Sequence, residues 1–101
     1  METSLASTTD IAPGNMVGVT KDGKSILIAN VDGTYYAISN ICTHRGCEVS
    51  GGTLTGDRVQ CPCHGSTFDV KTGAVVRGPA QRPEPSYRLR IEGEKIIATL
   101  E

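Results

Sequence analysis

Branched and aromatic residues recur along this chain in short clusters, and most clusters end on a glycine-containing turn. Val17 to Thr20 and Ser25 to Val31 form two such clusters, separated by Lys21-Asp22-Gly23-Lys24. Asp-Gly supplies the positive φ that a tight hairpin needs. Asp32-Gly33 marks a second turn and leads into Tyr35-Tyr36-Ala37-Ile38. These segments predict a meander of short strands. Further on, glycines at 46, 51, 52, 56, 65, 73 and 78 break the chain repeatedly. Short strands are expected there at Arg58 to Gln60, Ser66 to Asp69 and Ala74 to Val75. From Pro79 to Pro85 the prolines predict an extended, irregular segment. Tyr87-Arg88-Leu89-Arg90-Ile91 alternates apolar and charged, as a half-buried strand does. Glu92-Gly93-Glu94 then turns the chain into a last strand, Lys95 to Leu100. No helical period persists for three turns. Polar Met1 to Thr9 reads as a frayed leader.

The pattern is that of an all-β chain, and 101 residues predict one domain, 1–101. A core this small gains from a staple, either a metal or a disulfide. Ten basic and eleven acidic residues leave a net charge of −1 with no long block of either sign, so neither nucleic acid nor an anionic membrane is an expected partner. The N-terminus lacks the basic and apolar segments of a signal peptide. The longest apolar run, Ile26-Leu27-Ile28-Ala29, is far too short to span a bilayer. The expected location is the cytoplasm, and the starting Met argues against a longer precursor.

The chemistry is concentrated in one stretch. All four cysteines and both histidines lie between residues 42 and 64. They read Cys42-Thr43-His44-Arg45-Gly46-Cys47 and Cys61-Pro62-Cys63-His64-Gly65-Ser66. A thiolate and an imidazole from each segment could close on one inorganic object. Two Cys and two His suit a tetrahedral zinc. They equally suit a 2Fe-2S cluster, with two thiolates on one iron and two imidazoles on the other. Cys-x-His is unlike a zinc knuckle, but ligand chemistry alone leaves both readings open.

These two boxes resemble the cluster-binding boxes of Rieske iron–sulfur proteins. The resemblance continues through Asp32-Gly33, Asn40-Ile41, Phe68-Asp69, Thr72-Gly73, Gly78-Pro79-Ala80 and Pro85-Ser86-Tyr87, covering roughly residues 10 to 101. It implies an antiparallel β-sandwich or barrel with an inserted cluster-binding subdomain at about 41–80. It also implies one 2Fe-2S cluster, with Cys42 and Cys61 on the inner iron and His44 and His64 on the outer iron. Cys47 and Cys63 would form a disulfide shielding the cluster from below; closing that loop is worth about 3 kcal/mol by chain entropy. Buried and preorganised, it would resist reduction. Gly46 and Gly65 would let the backbone pass close to the sulfides. Ser66 would donate a hydrogen bond to a bridging sulfide and raise the potential. Gly78-Pro79-Ala80 would cover the cluster as a third loop, and Phe68 would form an apolar lid.

The resemblance implies an electron carrier rather than an enzyme. The disulfide pair and Gly65-Ser66 are similar to the high-potential subunit of quinol-oxidising complexes. That subunit has a membrane anchor, and a Tyr where this chain has Phe68. The short length and the Gly-Pro-Ala ending are more similar to soluble ferredoxins of ring-hydroxylating dioxygenases, which usually lack the two extra cysteines. The expectation is a soluble monomeric ferredoxin of intermediate potential, within about −150 to +300 mV. Its partners would be a flavin-dependent reductase and an oxygenase or other redox enzyme. The alternatives are a small redox subunit of a nitrite reductase or quinol-oxidising complex, and a zinc-stapled binding module. Arg45, Arg77 and Arg82 could steer an acidic partner. Histidine ligation further predicts a potential that falls with rising pH once the imidazoles deprotonate.

Overall fold

The computed structural model describes residues 2–42, 46–63, 65–78 and 80–99. Eleven strands run in the order β1 (Glu2–Ser7), β2 (Met16–Lys21), β3 (Lys24–Val31), β4 (Thr34–Ser39), β5 (Thr53–Thr55), β6 (Arg58–Gln60), β7 (Thr67–Asp69), β8 (Val75–Arg77), β9 (Ser86–Tyr87), β10 (Leu89–Glu92) and β11 (Lys95–Thr99). Among the described residues the only helical turns are short 3-10 segments at Thr8–Asp10 and Val49–Gly51. All pairings are antiparallel and form three sheets, ordered β1-β11-β10, β2-β3-β4-β9 and β5-β6-β7-β8.

The Asp-Gly turns behave as the sequence requires. Asp22 and Gly23 take φ of 51° and 77°, and Asp32 and Gly33 take 52° and 91°. Two consecutive residues at positive φ match the twist of the flanking strands. Register follows directly, with Lys21 opposite Lys24 and Val31 opposite Thr34.

β3 carries the continuous apolar run, and both of its faces are covered. Leu27 and Ala29, with Ile38 of β4, face a core that contains Cys42, Cys61, Phe68 and Val59. Ile26 and Ile28, with Ala37, face a second core of Ile11, Ile96 and Ala98. An unbroken run, rather than an alternating one, is the mark of a strand buried on two sides. The central sheet is thus a floor for the cysteine-bearing segments above and a lid for the terminal sheet below. β1 lies beside β2 and β10 beside β4, so the two lower sheets wrap around the second core.

Three expectations change. Residues 2 to 7 are not a frayed leader; they pair with β11 from Glu2 opposite Thr99 to Ser7 opposite Lys95, with a bulge between Ser4 and Ala6. Leu5 and Ala6 pack on the lower core. A reciprocal cap then ends the strand: Thr9 N–H donates to Ser7 Oγ at 3.3 Å, and Ser7 N–H donates to Asp10 Oδ2 at 3.0 Å. The alternating stretch 87–91 is not one strand, because the chain changes sheets at Arg88, between β9 and β10. β5 is an additional strand, paired with β6. The sheet β5–β8 lies in sequence between β4 and β9, which themselves pair through Ala37–Tyr87 and Ile38–Ser86.

Candidate metal centre

Each Cys/His box forms the tip of a hairpin, and the two tips share one hydrogen-bond pattern. The first tip, residues 42–47, is closed by the bridge Ile41–Glu48. The second, residues 61–66, is closed by the pair Gln60–Thr67. Cys42 N–H donates to Cys47 O at 2.8 Å, and Gly46 N–H donates to Cys42 O at 2.8 Å. In the second tip Cys61 N–H donates to Ser66 O at 2.7 Å, and Gly65 N–H donates to Cys61 O at 3.2 Å. Gly46 and Gly65 have φ of 74° and 81°, which accounts for glycine at both sites. Crowding by protein atoms does not account for it, since an added Cβ would meet only Ile41 Cγ2 at 4.0 Å or Gln60 Nε2 at 3.4 Å.

The first residue of each tip is a thiol outside the disulfide. Cys42 is 3% exposed and Cys61 2%, and both face the upper core. Cys47 and Cys63 are joined by a disulfide, with Cα atoms 6.5 Å apart. It ties the last residue of one tip to the middle of the other. Cys47 is half-buried and Cys63 exposed. The sulfurs of Cys47, Cys61 and Cys63 lie within 4.8 Å of one another. Two of the three are joined in the disulfide, so within that group Cys61 alone keeps a thiol that could hold a metal.

The third loop is attached to the second tip. Ala80 N–H donates to the fully buried Ser66 Oγ at 3.0 Å. That bond fixes the serine oxygen and leaves its own proton to be donated. Phe68 is fully buried beneath the tips, so it is core rather than a lid. His44 and His64, with Thr43, Arg45 and Pro79, lie outside the described residues. Arg77 and Arg82 are both exposed.

Asn40 had no assigned role in the sequence reading. It is 1% exposed. Its Oδ1 accepts from Ser50 N–H at 2.7 Å, its carbonyl accepts from Val49 N–H at 2.8 Å, and its own N–H donates to Ser25 O at 3.0 Å. These bonds fasten both ends of the first tip to the start of β3. Gly18 sits against this knot; a Cβ there would fall 2.6 Å from Ser50 Oγ and 2.7 Å from Asn40 Nδ2. In the sequence it stood out only as part of the family resemblance and as a polar residue directly after a strand.

The donor set fits a 2Fe-2S cluster. Two buried thiols head segments with the same closing hydrogen bonds, and the other two cysteines are bonded to each other. The Rieske [2Fe-2S] domain model matches residues 2–90. The chain belongs to the Rieske family. The ferredoxin component of the naphthalene 1,2-dioxygenase system of Pseudomonas aeruginosa is 36% identical over 91 residues, covering 90% of this chain and 88% of the relative. The Sphingomonas yanoikuyae B1 ferredoxin superposes with a TM-score of 0.94 at 28% identity, covering 100% of both chains. A chain from a complex of reduced oxygenase and oxidised ferredoxin in carbazole 1,9a-dioxygenase superposes with a TM-score of 0.91 at 28% identity, covering 99% of this chain and 97% of that one. The Rieske cofactor is the 2Fe-2S cluster, and the disulfide Cys47–Cys63 accompanies it here. No helix among the described residues is long and apolar enough to cross a membrane.

Proposed function

We propose that this chain is a cytoplasmic, monomeric one-electron carrier that passes electrons from a flavin-dependent reductase to an oxygenase. The observation that carries this reading is the pair of matched hairpin tips, each headed by a buried thiol. Cys42 and Cys61 would hold the inner iron, and His44 and His64 the outer one, within an insert spanning about 41–80. Bound there, the cluster supplies a single-electron acceptor whose potential is raised because imidazoles replace thiolates. The protein's part is positional. Asn40 anchors the first tip, the β6–β7 hairpin presents the second, and the disulfide holds them together. Ser66, its oxygen held by Ala80 N–H, keeps its own proton free to donate and would withdraw charge from a bound cluster. The relatives named as ferredoxin components of dioxygenase systems, and the neighbour crystallised with an oxygenase, support the assignment of partners.

Purification tests the reading directly. The protein should be red-brown, carry iron and acid-labile sulfide in equal amounts, and when reduced give an electron paramagnetic resonance signal averaging below the free-electron value. Colourless protein containing zinc would overturn it. Co-purification with a large redox enzyme would instead make the chain a resident subunit.

A further inference from the structure

Glu84 is a buried acid that the electron-carrier reading does not use. It is 2% exposed, and among the described residues its two carboxylate oxygens are the buried side-chain polar atoms that lack a hydrogen-bond partner. Its backbone, in contrast, is held on both sides. Glu84 N–H donates to Gly73 O at 2.7 Å, on the β7–β8 turn. Ser39 N–H donates to Pro85 O at 2.8 Å, at the end of β4. Pro83 and Pro85 flank it and fix the local φ, so the strap is stiff. Contact with the turn is close: a Cβ on Gly73 would collide with the Glu84 carbonyl. The strap also continues directly from Ala80, whose N–H sits on Ser66 Oγ.

A carboxyl stowed without a partner is tolerated when neutral and strongly disfavoured when ionised. Burial is the cause of its raised pKa, and its carboxylate oxygens accept no hydrogen bond. Tyr87, on β9, is its ionisable neighbour, and the Tyr87 phenol is itself pushed up, first by burial and then by Glu84. On the β7–β8 side, Lys71 is paired with Asp57 at 3.4 Å. Arg82, two residues earlier on the strap, is exposed.

We propose that Glu84 is a pH-operated latch that fastens the strap 81–85 across the joint between the metal-binding sheet and the central sheet. With the acid neutral the strap lies down on Gly73. When it ionises the side chain leaves its site, and the strap lifts from Gly73 and loosens the Ala80 contact on Ser66. Burial alone raises its pKa from 4.5 to about 7, which places the transition near neutral pH. The folded chain holds this proton to higher pH than the unfolded chain does. Stability from the latch is therefore full below 4.5, falls as pH rises toward 7, and is flat above. The latch itself does not depend on iron; only its influence on Ser66, and through it on potential, rests on the Rieske reading.

The test uses the complete protein labelled with 13C at glutamate carboxyls, with Glu84→Gln to identify the resonance. The latch predicts a midpoint near 7 for Glu84. It also predicts that exchange of the Glu84 amide accelerates through that point beyond the rise due to base catalysis alone. A carboxyl that titrates in the ordinary glutamate range, or an amide with no added acceleration, overturns it. Thermal unfolding is a second readout that needs no assignment. The wild-type midpoint should fall by about 5–10 °C between pH 5 and 7.5, while Glu84→Gln stays nearly level. Should that variant fold poorly, Glu84→Leu serves instead, and equal slopes in wild type and variant count against the latch. Protein with the red-brown colour but an ordinary Glu84 loses the latch alone; colourless protein with the raised midpoint keeps it and loses the Rieske reading.

Discussion

The two hairpin tips share their closing hydrogen bonds but differ in support. The second grows from β6 and β7, which are paired strands inside a four-stranded sheet, and its closing residue Ser66 is fully buried. The first hangs from one isolated bridge, Ile41–Glu48, and from the hydrogen bonds of Asn40. Its closing residue is Cys47, half-buried and bonded across to Cys63. One tip is therefore held by sheet pairing and the other by point attachments. A metal site needs both held equally well, and the disulfide lets the weaker tip borrow rigidity from the stronger. Gly52 sharpens the dependence, because a Cβ there would run into the Gln60 carbonyl at the base of the second tip.

Removing the disulfide should have the largest effect. Cys47→Ser with Cys63→Ser should lower stability by about 3 kcal/mol in denaturant unfolding. The loss should be uneven: exchange of the Gly46 amide should speed up while that of Gly65 changes little. Equal acceleration at both would erase the distinction between the tips. Asn40→Ala comes next. It leaves the half-buried Ser50 N–H without its acceptor and should cost about 1–2 kcal/mol, with faster iron loss on dilution into chelator. Iron retention equal to wild type would mean the first tip does not need its anchor.

Ser66→Ala acts on the second tip and should be milder, about 1 kcal/mol in thermal or denaturant unfolding. Its clearer signature should be a lower midpoint potential, because a donor toward the cluster is removed. An unchanged potential would restrict Ser66 to holding Ala80. The smallest effect belongs to neither tip. Arg90 bonds Glu2 at 2.9 Å across the terminal sheet, but both side chains are about half exposed. Arg90 also pairs with the exposed Glu92, which keeps it engaged when Glu2 is neutralised, so Glu2→Gln should leave the unfolding midpoint within error. A clear drop would mean that β1 depends on that pair more than on Leu5 and Ala6.

What was legible in the sequence follows the range of the interactions. The hairpins at Asp22-Gly23 and Asp32-Gly33 were readable because the turn residues specify both the bend and the register locally. The two Cys/His boxes stood out because residue type and spacing are local as well, but ligand chemistry left zinc and a 2Fe-2S cluster both open, and the family resemblance chose between them. β1 was missed because its partner β11 comes from the opposite end of the chain, and Glu2–Ser7 alternates too weakly to announce a buried face. The strand expected through Arg88 failed because alternation records which side is buried but not which sheet does the burying. Asn40 and Glu84 were illegible for the same reason: their roles come from neighbours brought together by folding. The pairing of Cys47 with Cys63 came from the family resemblance, because spacing alone does not say which cysteines meet.

Asymmetric ligation, with sulfur on the buried iron and imidazole on the outer one, is the central claim. Pulsed electron paramagnetic resonance on the reduced protein, labelled with 15N only at histidine, tests it most directly. The account predicts strong hyperfine couplings from both His44 and His64, and loss of one in His64→Cys. A reduced cluster with no labelled-nitrogen coupling, or a protein with no such signal, would contradict it.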